Sequence, residues 1–348
     1  MFEQCRGNCL YDCTSLKSVQ IPDGVSSINA FLFYNCTSLE NVTIPDSVTL
    51  IKGYTFTFCS SLNSVEIPAS VESDVFNKCS SMKDIYYPVE LRSQIADSSV
   101  PGTTMRASYT EKGEDASVII DYLPSNVTSI SLTEDICGKA ITELYYPEGV
   151  ALDGAESDGN RYEDMLLVNY KEVTVEEGEG SETTSTTAIA LTIENIPSEV
   201  TSICLPDNIN GKDISSVALA KTVENSDNIT AIYYPASITD GVGSVFTSAA
   251  IQVAYTVNED GSVNLTVNKL PEGVENIILP NDIGGKQIAS IEFSDPSDSE
   301  KVKIECSEHN PVVEKNAQKH WYVCTVCGAT VDENAHSYGT CVLCYGDG

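Results

Sequence analysis

The residues best equipped for chemistry lie near the C-terminus of this 348-residue chain. Cys324 and Cys327 form one C-x2-C pair, and Cys341 and Cys344 form a second, giving C-x2-C-x13-C-x2-C. Two thiolate pairs at this separation fit one tetrahedral Zn²⁺ in a ribbon-like loop, a structural site with all four positions filled. Gly328 follows the first pair, where a knuckle needs a tight turn. His309, His320 and His336, the three histidines of the chain, fall in the same stretch. A histidine in place of one cysteine is one alternative, and disulfides between the pairs are another. Catalytic zinc is disfavoured, because no glutamate stands in an H-E-x-x-H or H-x-E arrangement. Trp321, the only tryptophan, is expected to anchor the packing of this tail.

A second set of cysteines is spaced differently. Cys13, Cys36, Cys59 and Cys79 are 23, 23 and 20 residues apart, and each opens the same phrase, C-[TS]-S-[LM]-x-x-[VI]-x-[IY]-P. Four thiols at one repeat position admit redox or metal chemistry, or service as small core residues. The core reading is preferred, because a reactive thiol needs an electropositive, exposed setting.

These phrases imply the elements that carry them. Ser18 to Ile21 reads as a short strand ended by Pro22, which cannot donate to a ladder. Val25, Ile28 and either Phe31 or Phe33 are expected to point back inward on the return path. Burying such side chains yields roughly 10–15 kcal/mol per coil, whereas ordering 23 backbones costs more, at roughly 1–2 kcal/mol each. One coil cannot fold alone; stacked coils can. The third coil is three residues short between Val71 and Cys79 and is read as lacking a counterpart of Ile28 and Ile51.

A longer period follows. Gly138-Lys139, Gly211-Lys212 and Gly285-Lys286 recur at steps of 73 and 74 residues. Upstream of each lies an alternating segment with a turn: Tyr109 to Ile120 around Gly113, Tyr170 to Ile193 with an acidic insertion, and Tyr255 to Val267 with Asp260-Gly261 at the tip. These are expected hairpins. Ile85-Tyr86-Tyr87-Pro88, Leu144-Tyr145-Tyr146-Pro147 and Ile232-Tyr233-Tyr234-Pro235 take the place of the short-repeat strand. Strand alternation predicts one tyrosine of each pair in the core and the other on the sheet face.

The fold expected is therefore mainly β: a solenoid of right-handed stacked coils with a parallel sheet, inserted β-hairpins and a small zinc-ribbon-like segment. Residues 1–100 hold the short repeats, 101–305 hold three degenerate hairpin-plus-repeat modules of about 73 residues, and 306–348 form the cysteine and histidine tail. The C-x-S-L-x-x-[VI]-x-I-P-x-x-V-x-x-I pattern resembles the BspA-like leucine-rich repeats of bacterial surface proteins, and the L-P-x-x-[IV]-x-G-K segments resemble degenerate repeats of that family. The resemblance implies an extracellular protein that binds proteins or other surface ligands. The start, MFEQCRGNCLYDC, does not read as a signal peptide and opens inside a repeat, so truncation is the expected reason.

Composition narrows the role. With 51 acidic and 19 basic residues the formal charge is -32, which repels nucleic acid and anionic membranes. No apolar run is long enough for a membrane helix, and no nucleophile elbow, phosphate loop or dinucleotide fingerprint is present. The expectation is a non-catalytic, adhesin-like protein whose partners are host or neighbouring-cell surface proteins or glycans. A structural stalk is the alternative, and an enzyme with a metal site in the tail is a remote one. The outward row of the sheet, Gln20, Thr43, Glu66 and Tyr86, is the expected ligand-binding row.

Overall fold

The computed structural model describes residues 10–68, 70–133, 135–154, 160–177, 184–239, 241–245, 250–271, 277–280, 282–300, 302–304, 311–315, 319–324 and 330–335, from residue 299 onward as backbone alone. The protein is mainly β, a solenoid of stacked parallel coils elaborated by hairpins. Two compact units are present. One comprises Met1–Pro197 with Ile209–Lys212 and Ala218–Glu224; the other comprises Ser198–Asn208, Asp213–Val217 and Asn225–Gly348.

In the first unit the short repeats stack as their phrases imply. Ser18–Gln20 pairs in parallel with Asn41–Thr43, and Ser64–Glu66 pairs with Asp84–Pro88. Asn63 N–H donates to Glu40 O at 3.3 Å between these two ladders. A second row of very short strands runs on the return side: Ser27–Ile28, Leu50–Ile51 and Ser70–Val71. Ile28, Ile51 and Val71 are therefore stacked counterparts. The three residues missing from the third coil fall between Pro68 and Val71, not after Val71, and the position they remove is that of Val25 and Val48.

Inside, Leu39, Leu62 and Met82 stack in one column, and Phe33, Phe56 and Phe76 in another, with ring centroids 5.3 and 5.9 Å apart. Phe33 is the inward residue of its coil; Phe31 faces solvent. The thiols Cys36, Cys59 and Cys79 are buried and free, and Cys13 at the end of the stack is half-buried. Each buried S–H donates to a carbonyl of the preceding coil: Cys36 to Leu10 O, Cys59 to Phe33 O and Cys79 to Phe56 O, all at 3.1 Å. Each buried S–H thus has a carbonyl acceptor, as a small core residue with a weak donor should.

The sheet continues directly from the last short coil into the first hairpin. Asp84–Pro88 pairs in parallel with Met105–Lys112, which turns back antiparallel as Asp115–Tyr122, and Lys139–Pro147 adds in parallel beyond. Leu166–Glu177 and Thr184–Asn195 form the next hairpin on that edge; the tip of its acidic insertion lies outside the described residues. In the second unit Ser202–Cys204, Ala231–Pro235 and Ile251–Val257 run parallel, Val263–Lys269 returns antiparallel, and Lys286–Phe293 pairs parallel with it.

The hairpin and the Tyr-Tyr-Pro strand share one register each time. Pro88 pairs with Tyr109, Pro147 with Tyr170 and Pro235 with Tyr255. Proline cannot donate there, so the next residue does: Glu148 N–H reaches Tyr170 O, and Ala236 N–H reaches Tyr255 O, both at 2.8 Å. The hairpin tyrosines are buried, and their hydroxyls donate to carbonyls of earlier strand ends: Tyr109 to Ile67, Tyr170 to Ile120 and Tyr255 to Leu205. A buried phenol is tolerated only with such a partner.

Candidate functional site

The expected ligand row is assembled in register but not exposed along its length. Gln20 pairs with Thr43 and Glu66 with Tyr86. Gln20 and Thr43 face solvent, Glu66 is half-buried and Tyr86 is 1% exposed. Tyr86 is thus corrected from a surface residue to a core residue, packed in a cluster with Met105, Tyr109, Ile136, Ile141 and Tyr162. The cover comes from a segment about 50–70 residues further along the chain. Asp135–Ile136 and the start of Lys139–Pro147 form a tight antiparallel hairpin whose turn residues, Cys137 and Gly138, lie at φ 50° and 76°. That turn folds over the sheet face: Cys137 N–H donates to the Glu66 carboxylate at 3.2 Å, and Tyr109 Oη is 3.6 Å from Cys137 Sγ. Burial raises the Glu66 carboxyl above its ordinary value, partly offset by that N–H.

The Gly-Lys pairs find their role in the same element. Asn210-Gly211 and Gly284-Gly285 repeat the paired positive φ, at 56° and 69° and at 57° and 78°, the signature of a type I′ turn. The lysine that follows is a clasp: Lys139 Nζ meets Glu111 and the Gly113 carbonyl, and Lys212 Nζ meets Glu172. With both sheet faces covered, Tyr86 and Tyr87, Tyr145 and Tyr146, and Tyr233 and Tyr234 are all buried. Alternation still sends them to opposite faces; the expectation of one solvent-facing tyrosine per pair fails because neither face is open.

A buried ionic cluster went unread in the sequence. Asp121, on the return strand of the first hairpin, accepts from Tyr87 Oη at 2.7 Å and lies 3.0 Å from Arg92 Nε. Arg92 Nη2 reaches Ser108 Oγ at 2.9 Å, and the Arg106 guanidinium sits 4.4 Å over the Tyr122 ring. Burial raises the Asp121 carboxyl, with Arg92 and Tyr87 pulling it back. The group ties the Arg92–Asp97 helix to the hairpin, and we assign it no chemistry beyond that.

The return turns carry the other unread feature. Two positions per coil are left-handed: Phe31, Tyr54 and Asp74 at φ 60°, 61° and 60°, then Asp12, Asn35, Phe58 and Lys78 at 62°, 57°, 63° and 64°. Asp and Asn tolerate this region; for other residues it costs about 1–2 kcal/mol. Phe31, Tyr54 and Phe58 bear that cost while 37–41% exposed. With Tyr11 and Tyr34 they form one contiguous strip. Tyr11 stacks on Tyr34 at 5.0 Å, Phe31 on Tyr54 at 5.1 Å, and Phe31 and Phe58 contact Tyr34 at 5.7 and 5.5 Å. Asp74 accepts from the Tyr54 hydroxyl and repels its ionised form, which raises that phenol. The turns are tied to the next coil: Phe33 N–H donates to Thr55 O, Asn35 N–H to Thr57 O and Phe58 N–H to Asn77 O, at 2.9–3.1 Å. In the sequence the only trace is aromatics at matching repeat positions, without the backbone sign that turns them outward.

Of the tail cysteines, Cys327, Cys341 and Cys344 lie outside the described residues, and Cys324 is described only as backbone at the end of Lys319–Cys324. Among the described residues no group of three or more His, Cys, Asp or Glu side chains is arranged to hold a metal ion, and no helix is long and apolar enough to cross a membrane.

Stacked coils with a recurring C-x-S-L phrase define a leucine-rich-repeat solenoid. More particularly, residues 3–108 match the BspA type leucine rich repeat region, in six copies. Among solved structures the chain is similar to a leucine rich cell surface protein from Faecalibacterium prausnitzii A2-165, at 18% identity over 84% of this chain and 83% of that one, TM-score 0.23. It is also similar to a leucine-rich repeat protein from Bacteroides ovatus ATCC 8483, at 14% identity over 69% and 84%, TM-score 0.17. No curated protein matches the chain.

Proposed function

We propose that this is a non-catalytic, extracellular or cell-surface protein of adhesin-like character, whose repeat coils bind a protein or glycan ligand. The observation that carries the reading is the aromatic strip. Three of its five rings occupy left-handed positions that other coils fill with Asp, Asn or Lys, so folding does not require aromatics there. Stability given up to hold apolar rings toward water is the mark of a recognition surface. The BspA type match and the -32 charge agree with an exported, soluble repeat protein, and that charge argues against nucleic acid and against membrane insertion as partners. Gln20 and Thr43 remain a secondary candidate surface. The modules beyond residue 105, whose Tyr-Tyr-Pro strands are buried on both faces, suit the role of spacer.

The test presents immobilised host matrix proteins and glycans to the intact chain and to a strip variant, Phe31→Asp/Tyr54→Asp/Phe58→Asn. The substituted types are those the same repeat positions carry elsewhere. Binding to at least one ligand, weakened in the variant, is expected. Failure of the intact chain to bind any of them would leave only the spacer role.

A further inference from the structure

The turns at Cys137-Gly138, Asn210-Gly211 and Gly284-Gly285 are three versions of one lid. Each plants a buried isoleucine beside its turn: Ile136, Ile209 and Ile283. Ile136 packs with Tyr86 and Tyr109, and Ile283 packs with Tyr233 and Tyr255. From the way the three are fastened we infer that the third lid is a hinged cover, which opens while the strands beneath it stay folded and uncovers Cys204, Tyr233 and Tyr255.

Two fastenings hold the first lid down. Cys137 N–H donates to the Glu66 carboxylate at 3.2 Å, and Lys139 Nζ meets Glu111 and the Gly113 carbonyl. The second lid keeps both with other atoms: Asn210 Nδ2 donates to Asp121 O, and Lys212 Nζ meets Glu172. The third has lost both. Val257 pairs with Val263 as Glu111 pairs with Ala116, and Val263 pairs with Ile288 as Ala116 pairs with Ile141. Each isoleucine stands two residues after the lid lysine, so Val257 occupies the place of the clasping acid. It is 39% exposed. Among the described residues Lys286 forms no ion pair and the Gly284 N–H has no acceptor.

The bonds that remain lie within the hairpin. Gly285 N–H donates to Asp282 Oδ1 at 3.0 Å, and Asp282 and Ile283 pair with Gln287 and Lys286. They preserve the lid's shape and travel with it. The ladder to Val263–Lys269 begins at Ile288, which places the hinge just before that residue. Gly284 lies over the half-buried Cys204 thiol, since a Cβ on it would come within 3.6 Å of Sγ. Beneath, Tyr255 Oη keeps its bond to Leu205 O at 2.6 Å whether the lid is down or up. An exposed ion pair and a single hydrogen bond each change a local opening equilibrium a few-fold, so loss of both makes opening roughly tenfold more frequent.

Hydrogen–deuterium exchange of the full chain, read on peptides covering 135–140, 208–213 and 282–287 and corrected for intrinsic rates, tests this. The third lid should exchange at least about tenfold faster than the other two, with Ile251–Val257 and Val263–Lys269 still protected. Val257→Glu gives Lys286 its acid back and should slow 282–287 about threefold, while Glu111→Val should speed 135–140 by a similar factor. Alkylation of Cys204 by N-ethylmaleimide should slow in Val257→Glu in the same proportion. Equal exchange in the three lids, or no response to Val257→Glu, would overturn the hinged cover. So would exchange of the underlying strands at the rate of the lid, which would mean that the module unfolds as a whole. Lid amides slowed by Val257→Glu with Cys204 labelling unchanged would confine the motion to the turn and overturn the uncovering of the sheet face.

Discussion

The stacked thiols make a quantitative prediction about reactivity. Burial raises Cys36 to about 11 and Cys79 to about 12, from an ordinary 9.0, and drives Cys59 higher still. The thiolate is the attacking species, so each unit removes a factor of ten in rate. At pH 8 ionisation alone slows Cys36 by roughly 100-fold and Cys79 by roughly 1000-fold relative to an ordinary thiol. Closure of the core adds to this, since Cys36, Cys59 and Cys79 are 0% exposed. The measurement is iodoacetamide labelling at pH 8, resolved by peptide mass spectrometry, with glutathione as reference. Half-buried Cys13 should label well before the other three in the folded chain, and all four should label alike in urea. Modification of Cys59 or Cys79 in the folded protein within tenfold of the glutathione rate would refute the closed column and revive the redox or metal reading of these cysteines.

Removing Arg92 leaves the Asp121 carboxylate buried without its cation, so Arg92→Ala should cost about 3 kcal/mol in urea unfolding, with Arg92→Ala/Asp121→Asn recovering part of it. Because burial raises the Asp121 pKa, the folded state holds this proton more tightly than the unfolded one. The stabilisation from that proton is complete below the ordinary carboxylate range and is lost as pH rises through the folded value. The stability of wild type relative to Asp121→Asn should therefore fall across the acid range and level off above it; a rise would contradict the assignment. Gly241 lies at φ 97°, and a Cβ there would sit 2.1 Å from Val217 O, so Gly241→Ala should lose at least about 2 kcal/mol, read as a lower urea midpoint. For the tail we propose one structural zinc on Cys324, Cys327, Cys341 and Cys344. Elemental analysis should give close to one equivalent, abolished by Cys324→Ser/Cys327→Ser with the repeat circular dichroism unchanged; a metal-free wild-type protein would favour disulfides.

The stacking was legible from the sequence because it is written locally. A cysteine and a leucine per coil, and a proline after each strand, fix which residues face the core at Leu39, Leu62 and Cys59. The hairpins were legible too, since Asp260-Gly261 and Gly113 announce their turns. What alternation cannot report is whether the second face of a sheet is covered. Tyr86 has the pattern of a surface residue, and its cover arrives with Ile136 and Cys137, 50 residues on. The sequence reading puts the shortening of the third coil after Val71, because a deletion within a coil leaves the repeat phrase ambiguous until strand pairing is seen. The aromatic strip stayed hidden for a different reason: Phe31 and Phe33 are both plausible core residues, and only the positive φ at Phe31 turns one of them outward.

The reach of the Asp135–Ala140 hairpin back to Glu66 also bears on how the chain matures during synthesis. A pure solenoid can settle coil by coil as it leaves the ribosome, each turn finished by the one before. Here the face bearing Tyr86, Ala107 and Tyr109 stays wet until residue 137 has emerged, 71 positions after Glu66. At translation rates of about 5–20 residues per second, that leaves an apolar sheet face open for roughly 4–14 seconds. During that interval Tyr86, Ala107 and Tyr109 are the residues at which a folding helper would find an apolar binding surface.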